Sequence, residues 1–125
     1  MLINDKKYNY NFDNLQDLHN RWYNAESKPI NDDGLKKFDR LFYKWFTRKD
    51  KFSIFSTIDG NLEMESKTPN GDIVIKINLS SLVSNFYYID DLNESEDVEL
   101  TLDLNELEDR KLLDYIINDY LKTRF

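Results

Sequence analysis

Between Asp90 and Asp109 the sequence carries ten carboxylates, at Asp90, Asp91, Glu94, Glu96, Asp97, Glu99, Asp103, Glu106, Glu108 and Asp109. From Ile77 to Asp109 it has no lysine or arginine. So many unbalanced carboxylates can do three kinds of chemistry. They can ligate a hard cation such as Mg²⁺ or Ca²⁺ through oxygen, a pair of them can serve acid–base hydrolysis of a glycoside, or they can attract a cationic protein surface. The run Asp90-Asp91-Leu92-Asn93-Glu94-Ser95-Glu96 has the look of a calcium loop. It lacks the central glycine and the ligand spacing of an EF-hand. No pair of acids stands out for hydrolysis. Electrostatic docking is therefore the sharpest chemistry on offer, set against a plain solubilising rim. Tyr87 and Tyr88 border the tract, and tyrosine is a common interface anchor. The expected partner-binding set is Asp90, Asp91, Glu94, Glu96, Asp97, Glu99, Tyr87 and Tyr88.

Other chemistry has little to work with. His19 is the only histidine and lies beside Leu18 and Trp22 in an expected helix, with no motif supplying a nucleophile or an orienting carboxylate. There are no cysteines, so disulfides, thiolate metal sites and a cysteine nucleophile are excluded. Three glycines, at 34, 60 and 71, make no phosphate-cradling loop. The expectation is a protein that is not an enzyme and needs no cofactor or metal. Lys36, Arg40, Lys44 and Arg48 recur one helical turn apart, extended by Lys37, Lys49 and Lys51. This stripe is read first as the solvated face of an amphipathic helix, and second as a dock for an acidic partner or nucleic acid.

Charge is unevenly placed. Residues 1–51 hold 11 Lys/Arg against 8 Asp/Glu, and residues 52–125 hold 6 against 16, for a net charge of −7. Such asymmetry speaks to partners and association rate rather than to fold. An acidic surface repels phosphates, which disfavours direct nucleic-acid binding. With 40% hydrophobic and 14% aromatic residues the chain is built to bury a core, and 125 residues suit one domain over residues 1–125. No apolar run reaches the roughly 18 residues that a membrane span needs. The N-terminus lacks a signal-peptide core, so a cytoplasmic location is expected.

The elements that must position these groups follow from periodicity. Leu35, Phe38, Leu41, Phe42, Trp45 and Phe46 recur at helical spacing, predicting a core helix over residues 32–47 capped by Asn31 or Asp32. The period then drops to two. Residues 52–58, 61–67 and 72–79 read as an antiparallel meander turned at Asp59-Gly60 and at Thr68-Pro69-Asn70-Gly71. A three-residue first loop is preferred, because it gathers Leu62 and Met64 on the face of Ile54 and Ile58. Residues 80–84 give no clear signal, 85–89 and 98–104 read as strands, and an acidic loop joins them. Asp103 or Asn105 is expected to cap a last helix whose buried stripe is Leu112, Leu113, Ile116, Ile117, Tyr120 and Leu121. Ahead of all this, Tyr8, Tyr10 and Phe12 alternate as a strand would, and a helix over residues 13–26 ends before Pro29. The predicted class is α+β, an antiparallel sheet of about five strands with three helices packed mainly on one face.

The opening LINDKKYNYNFDNLQDLH, followed by a second helix, resembles barstar-type immunity proteins over the first forty residues or so. The chain then departs from that pattern into the strand meander. Lys36 and Lys37 also stand where an inhibitor of a basic nuclease would present carboxylates, so no residue role is carried over. Small size, absent catalytic signals and one-sided acidity together point to an inhibitor or immunity-type protein that neutralises one protein partner with a basic surface, a toxin or nuclease. A phage-encoded nucleic-acid mimic that blocks a host nuclease is the first alternative. An enzyme or ligand-binding domain with a carboxylate site is the second.

Overall fold

The computed structural model describes residues 30–122. The expected strand at Tyr8–Phe12, the helix over residues 13–26, His19 and the barstar-like segment up to Pro29 lie outside the described residues. Within them, helix α1 (Asp32–Leu41) leads into five strands, β1 (Ser53–Ser56), β2 (Leu62–Lys67), β3 (Gly71–Ile77), β4 (Val83–Asp90) and β5 (Val98–Asp103). Helix α2 (Leu107–Leu121) closes the series. The strands form one antiparallel sheet in the order β1-β2-β3-β4-β5, so every sheet neighbour is also a neighbour in sequence. The α+β class with five antiparallel strands is as expected. Two α-helices, not three, lie among the described residues.

Alternation decides which face is buried. Ile54, Met64, Ile75, Phe86 and Leu100 are register partners in one row across the sheet. Leu62, Ile77 and Leu102 lie in the next row, with Ser56 and Ser84. Buried members of both rows join Leu35 and Phe38 of α1 and Leu113 and Ile117 of α2 in one hydrophobic cluster. Tyr120 of α2 sets its ring against Phe86 and Tyr88 at 5.9 and 4.2 Å.

The first hairpin turns as preferred. The Thr57 N–H donates to the Asn61 carbonyl, which leaves a three-residue loop of Ile58, Asp59 and Gly60. Gly60 takes the left-handed φ of 86° that this loop demands of its last residue. Leu62 and Met64 do share the face of Ile54, but Ile58 sits in the loop and is exposed. The second turn is tied by Thr68, whose N–H and hydroxyl both donate to the Gly71 carbonyl.

Two expectations about the helices need correction. The core helix ends at Leu41, not Thr47: the chain turns at Phe42 (φ −131°, ψ −58°) into a 3₁₀ turn at Tyr43–Trp45. The break rotates Tyr43 into the core and throws Trp45 out to 71% exposure, although helical spacing had grouped Trp45 with the buried rings. Asn31 is the N-cap, its side chain accepting from the Gly34 N–H at 3.0 Å. At α2 the cap position is Glu106, with no side-chain cap bond. The Asp103 carboxylate instead accepts from the Asn105 N–H, and Asp109 accepts from the Asp103 N–H. Leu113 and Ile117 are buried, Ile116, Tyr120 and Leu121 pack partly, and Leu112 is exposed.

The stretch without a sequence signal is a turn from Asn78 to Leu82. Its Asn78 carboxamide accepts from the Ser80 and Ser81 N–H groups. Leu82 adopts φ 62°, a left-handed conformation that a leucine takes at a cost of about 1–2 kcal/mol. Burial of its side chain and a bond from its N–H to the Asn78 carbonyl hold it there.

Candidate interaction site on the acidic loop

The β4–β5 connection is an ordered loop. Asp90, at the end of β4, accepts from the Leu92 N–H at 3.2 Å, from the Asn93 N–H at 3.0 Å and from the Tyr88 hydroxyl at 2.7 Å. The Tyr88 bond does most to hold the Asp90 carboxyl below the usual carboxylate range, helped by the Leu92 and Asn93 amides. Asp97 closes the loop by accepting from the Asp90 N–H at 2.7 Å. Between them a 3₁₀ turn, Glu94–Glu96, is capped by Asn93, whose side chain accepts from the Ser95 N–H and hydroxyl. The loop is moored to the β2–β3 turn by the Asp91 N–H, which donates to the Asn70 carbonyl. Lys67 sits between Asp72 and Asp91 at 3.2 and 3.3 Å, and those two partners raise its pKa.

The predicted residues therefore separate by role. Asp90 and Asp97 build the loop, and Asp91 is shared with Lys67. Glu94, Glu96 and Glu99 are exposed, with no ion pair among the described residues. Tyr87 lies on the outer face opposite Glu99, with the Lys76 ammonium 5.8 Å from its ring. Tyr88 is a correction to the expected set. It points inward at 4% exposure and stacks on Tyr120, so its ring is no surface anchor. Burial, and then the Asp90 carboxylate, push its phenol up to about 12.

The acidic tract also divides. Asp103 and Asp109 lie at the opposite end of β5 from the loop, bonded to each other's neighbourhood, and Lys37 of α1 helps lower the Asp103 pKa after the Asn105 backbone and side chain. The ten carboxylates form two groups, and among the described residues no lysine or arginine before Phe52 forms an ion pair with the group at residues 90–99. Beside it lies a polar hollow of about 280 Å³, lined by Thr68, Asn70, Asp90, Glu96, Asp119 and Lys122 among others. Among the described residues no three His, Cys, Asp or Glu side chains are grouped to hold a metal ion. No described helix is long and apolar enough to cross a membrane.

The basic stripe does not survive as one row, because α1 stops before Lys44. Lys36 pairs with Asp32 at 3.2 Å, Lys44 lies over the Trp45 ring at 5.6 Å, and Arg48 donates to Asn118 at 2.7 Å. One feature of the loop escaped the periodicity reading. Leu92, at its tip, is 96% exposed. It is the lone apolar side chain between Asp90 and Asp97, and that isolation was visible in the sequence.

Comparison of the chain with known protein families, with curated proteins and with solved structures finds no match.

Proposed function

We propose that this chain is a small inhibitor of immunity type that binds and neutralises one partner protein, a toxin or nuclease with a basic surface, through the acidic β4–β5 loop. The observation that carries the reading is a prearranged loop whose exposed Glu94, Glu96 and Glu99 have no ion pair among the described residues. Charges held outward in a fixed frame steer a cationic partner and set the register of docking. A loop already ordered by Asp90, Asn93 and Asp97 gives up less conformational freedom on binding. The protein acts by occupancy, without a catalytic step or cofactor, in the cytoplasm. The two described α-helices gather on one face of the sheet, a packing supported by the shared cluster of Leu35, Phe38, Leu113 and Ile117 with the inner strand residues. The loop is left for contact.

The test is affinity capture from host lysate at low salt. One protein should be retained in stoichiometric amount, released near roughly 1 M salt, where screening leaves charges visible only over about 3 Å. It should be lost in the triple variant Glu94→Gln, Glu96→Gln, Glu99→Gln. Undiminished capture by the triple variant, or the absence of any stoichiometric partner, would remove the proposal.

A further inference from the structure

At the end of the molecule away from the acidic loop, α1 and the Tyr43–Trp45 turn face the first turns of α2 across a cavity of about 350 Å³. Phe42, Trp45, Phe46 and Leu107 give it apolar walls, and two of these, Trp45 and Leu107, are exposed. Its rim is cationic: Arg40, Arg110 and Lys111 line it, against the single carboxylate of Asp114. An apolar socket with a positive rim is an unexpected feature on a chain of net charge −7. It calls for an occupant with an apolar side chain set among carboxylates.

The chain itself carries that shape. Leu92 stands almost fully exposed at the tip of the loop, with Asp91 before it and Glu94 and Glu96 after it. One copy cannot fill its own socket. The loop lies at the Tyr120 end of α2, where Tyr88 and Tyr120 stack, whereas the socket lies at the Leu107 end. Leu107 and Tyr120 are about 20 Å apart along the helix at 1.5 Å per residue. We infer that the socket receives the Leu92 loop of a second copy of this chain, the leucine entering between Trp45 and Leu107 and the carboxylates meeting Arg40 and Lys111. Knob and socket are different patches, so two copies lying antiparallel satisfy both contacts and close at two, while a single contact repeated head to tail grows into longer assemblies. The inference does not rest on an external partner and is tested on purified protein alone. Because it uses the same loop, a bound partner would displace it.

Sedimentation equilibrium of the full chain from micromolar to millimolar concentration should show a mass rising above the 15.1 kDa of one copy. The rise should be smaller at high salt. Leu92→Asp, on the knob, and Lys111→Glu, on the socket, should each weaken association about tenfold or more, the scale of one buried leucine side chain. Both positions are exposed, so unchanged circular-dichroism melts are expected. Mixing the two variants should give association stronger than that of either variant alone and weaker than that of the wild type, since the socket of one and the knob of the other rebuild one of the two contacts. A wild-type mass fixed at 15.1 kDa across the range, or association of Leu92→Asp as strong as that of the wild type, would overturn the inference.

Discussion

Tyr88 and Asp90 depend on each other. The phenol, raised from 10.0 to about 12, keeps its proton in the folded state while an unfolded tyrosine has lost it. Its contribution to stability is therefore complete below pH 10 and disappears as pH climbs through about 12. Asp90 works in the other direction. Its folded pKa lies below 3.8, so its contribution is present above that value and is lost as pH falls through the folded value. An alkaline titration followed by tyrosine absorbance should contain one late-ionising component that is missing in Tyr88→Phe. The same variant deprives Asp90 of a donor, and the Leu92 and Asn93 amides should exchange hydrogen faster, as read by NMR. Exchange at the wild-type rate would mean that the tyrosine does not brace the loop. Ser56 gives a second residue-scale prediction. Its hydroxyl is fully buried in the inner face, with no hydrogen-bond partner among the described residues. Ser56→Ala removes the desolvated group and should be neutral or stabilising, by up to about 1 kcal/mol in urea denaturation. A clear loss would reveal a partner.

Among the elements, α1 is fixed by a close approach at its first turn. A Cβ on Gly34 would stand 2.0 Å from the Leu79 carbonyl oxygen, a backbone atom that cannot swing aside. Gly34→Ala should therefore cost about 1–3 kcal/mol, the range of overpacked cores. Lys36→Ala, two residues along on the exposed side, should stay within about 0.5 kcal/mol in the same urea titration. What the sequence disclosed about elements follows the strength of their periodic signal. Ile73, Ile75 and Ile77 recur at every second position between Asp72 and Asn78, and the hairpins they belong to were legible with their turns. Phe86-Tyr87-Tyr88-Ile89 has no alternation to read. Only the register with β3 and β5 shows that Phe86 and Tyr88 go in while Tyr87 and Ile89 go out. That is why the loop's acidity was readable but the role of Tyr88 was not. The end of α1 was hidden because apolar spacing continues past it to Phe46, and the left-handed Leu82 was hidden because no glycine or asparagine marks it.

For the molecule as a whole, charge is the property most open to adjustment. The carboxylates of residues 90–99 repel one another, with Lys67 bridging Asp91 and Lys122 lining the hollow beside Asp90 and Glu96. Raising ionic strength from about 0.01 M to about 0.15 M shortens the screening length from about 30 to about 8 Å. The melting temperature, measured in dilute solution, should rise across that interval. A fall would show that the Lys67 bridge outweighs the repulsion around it.

The sheet has a consequence for how it comes into being. From β2 onward each strand hydrogen-bonds to the strand synthesised just before it, and among the described residues no crossover links distant parts of the ladder. Short loops close at little entropic cost, and topologies dominated by sequence-near contacts fold fast. The ladder can thus be laid down rung by rung as the chain leaves the ribosome, with α2, emerging last, completing the cover over the core. Stalled nascent chains ending after β4 should then already protect the β2–β3 amides from exchange, and unprotected amides at that length would show that the ladder waits for its final helix.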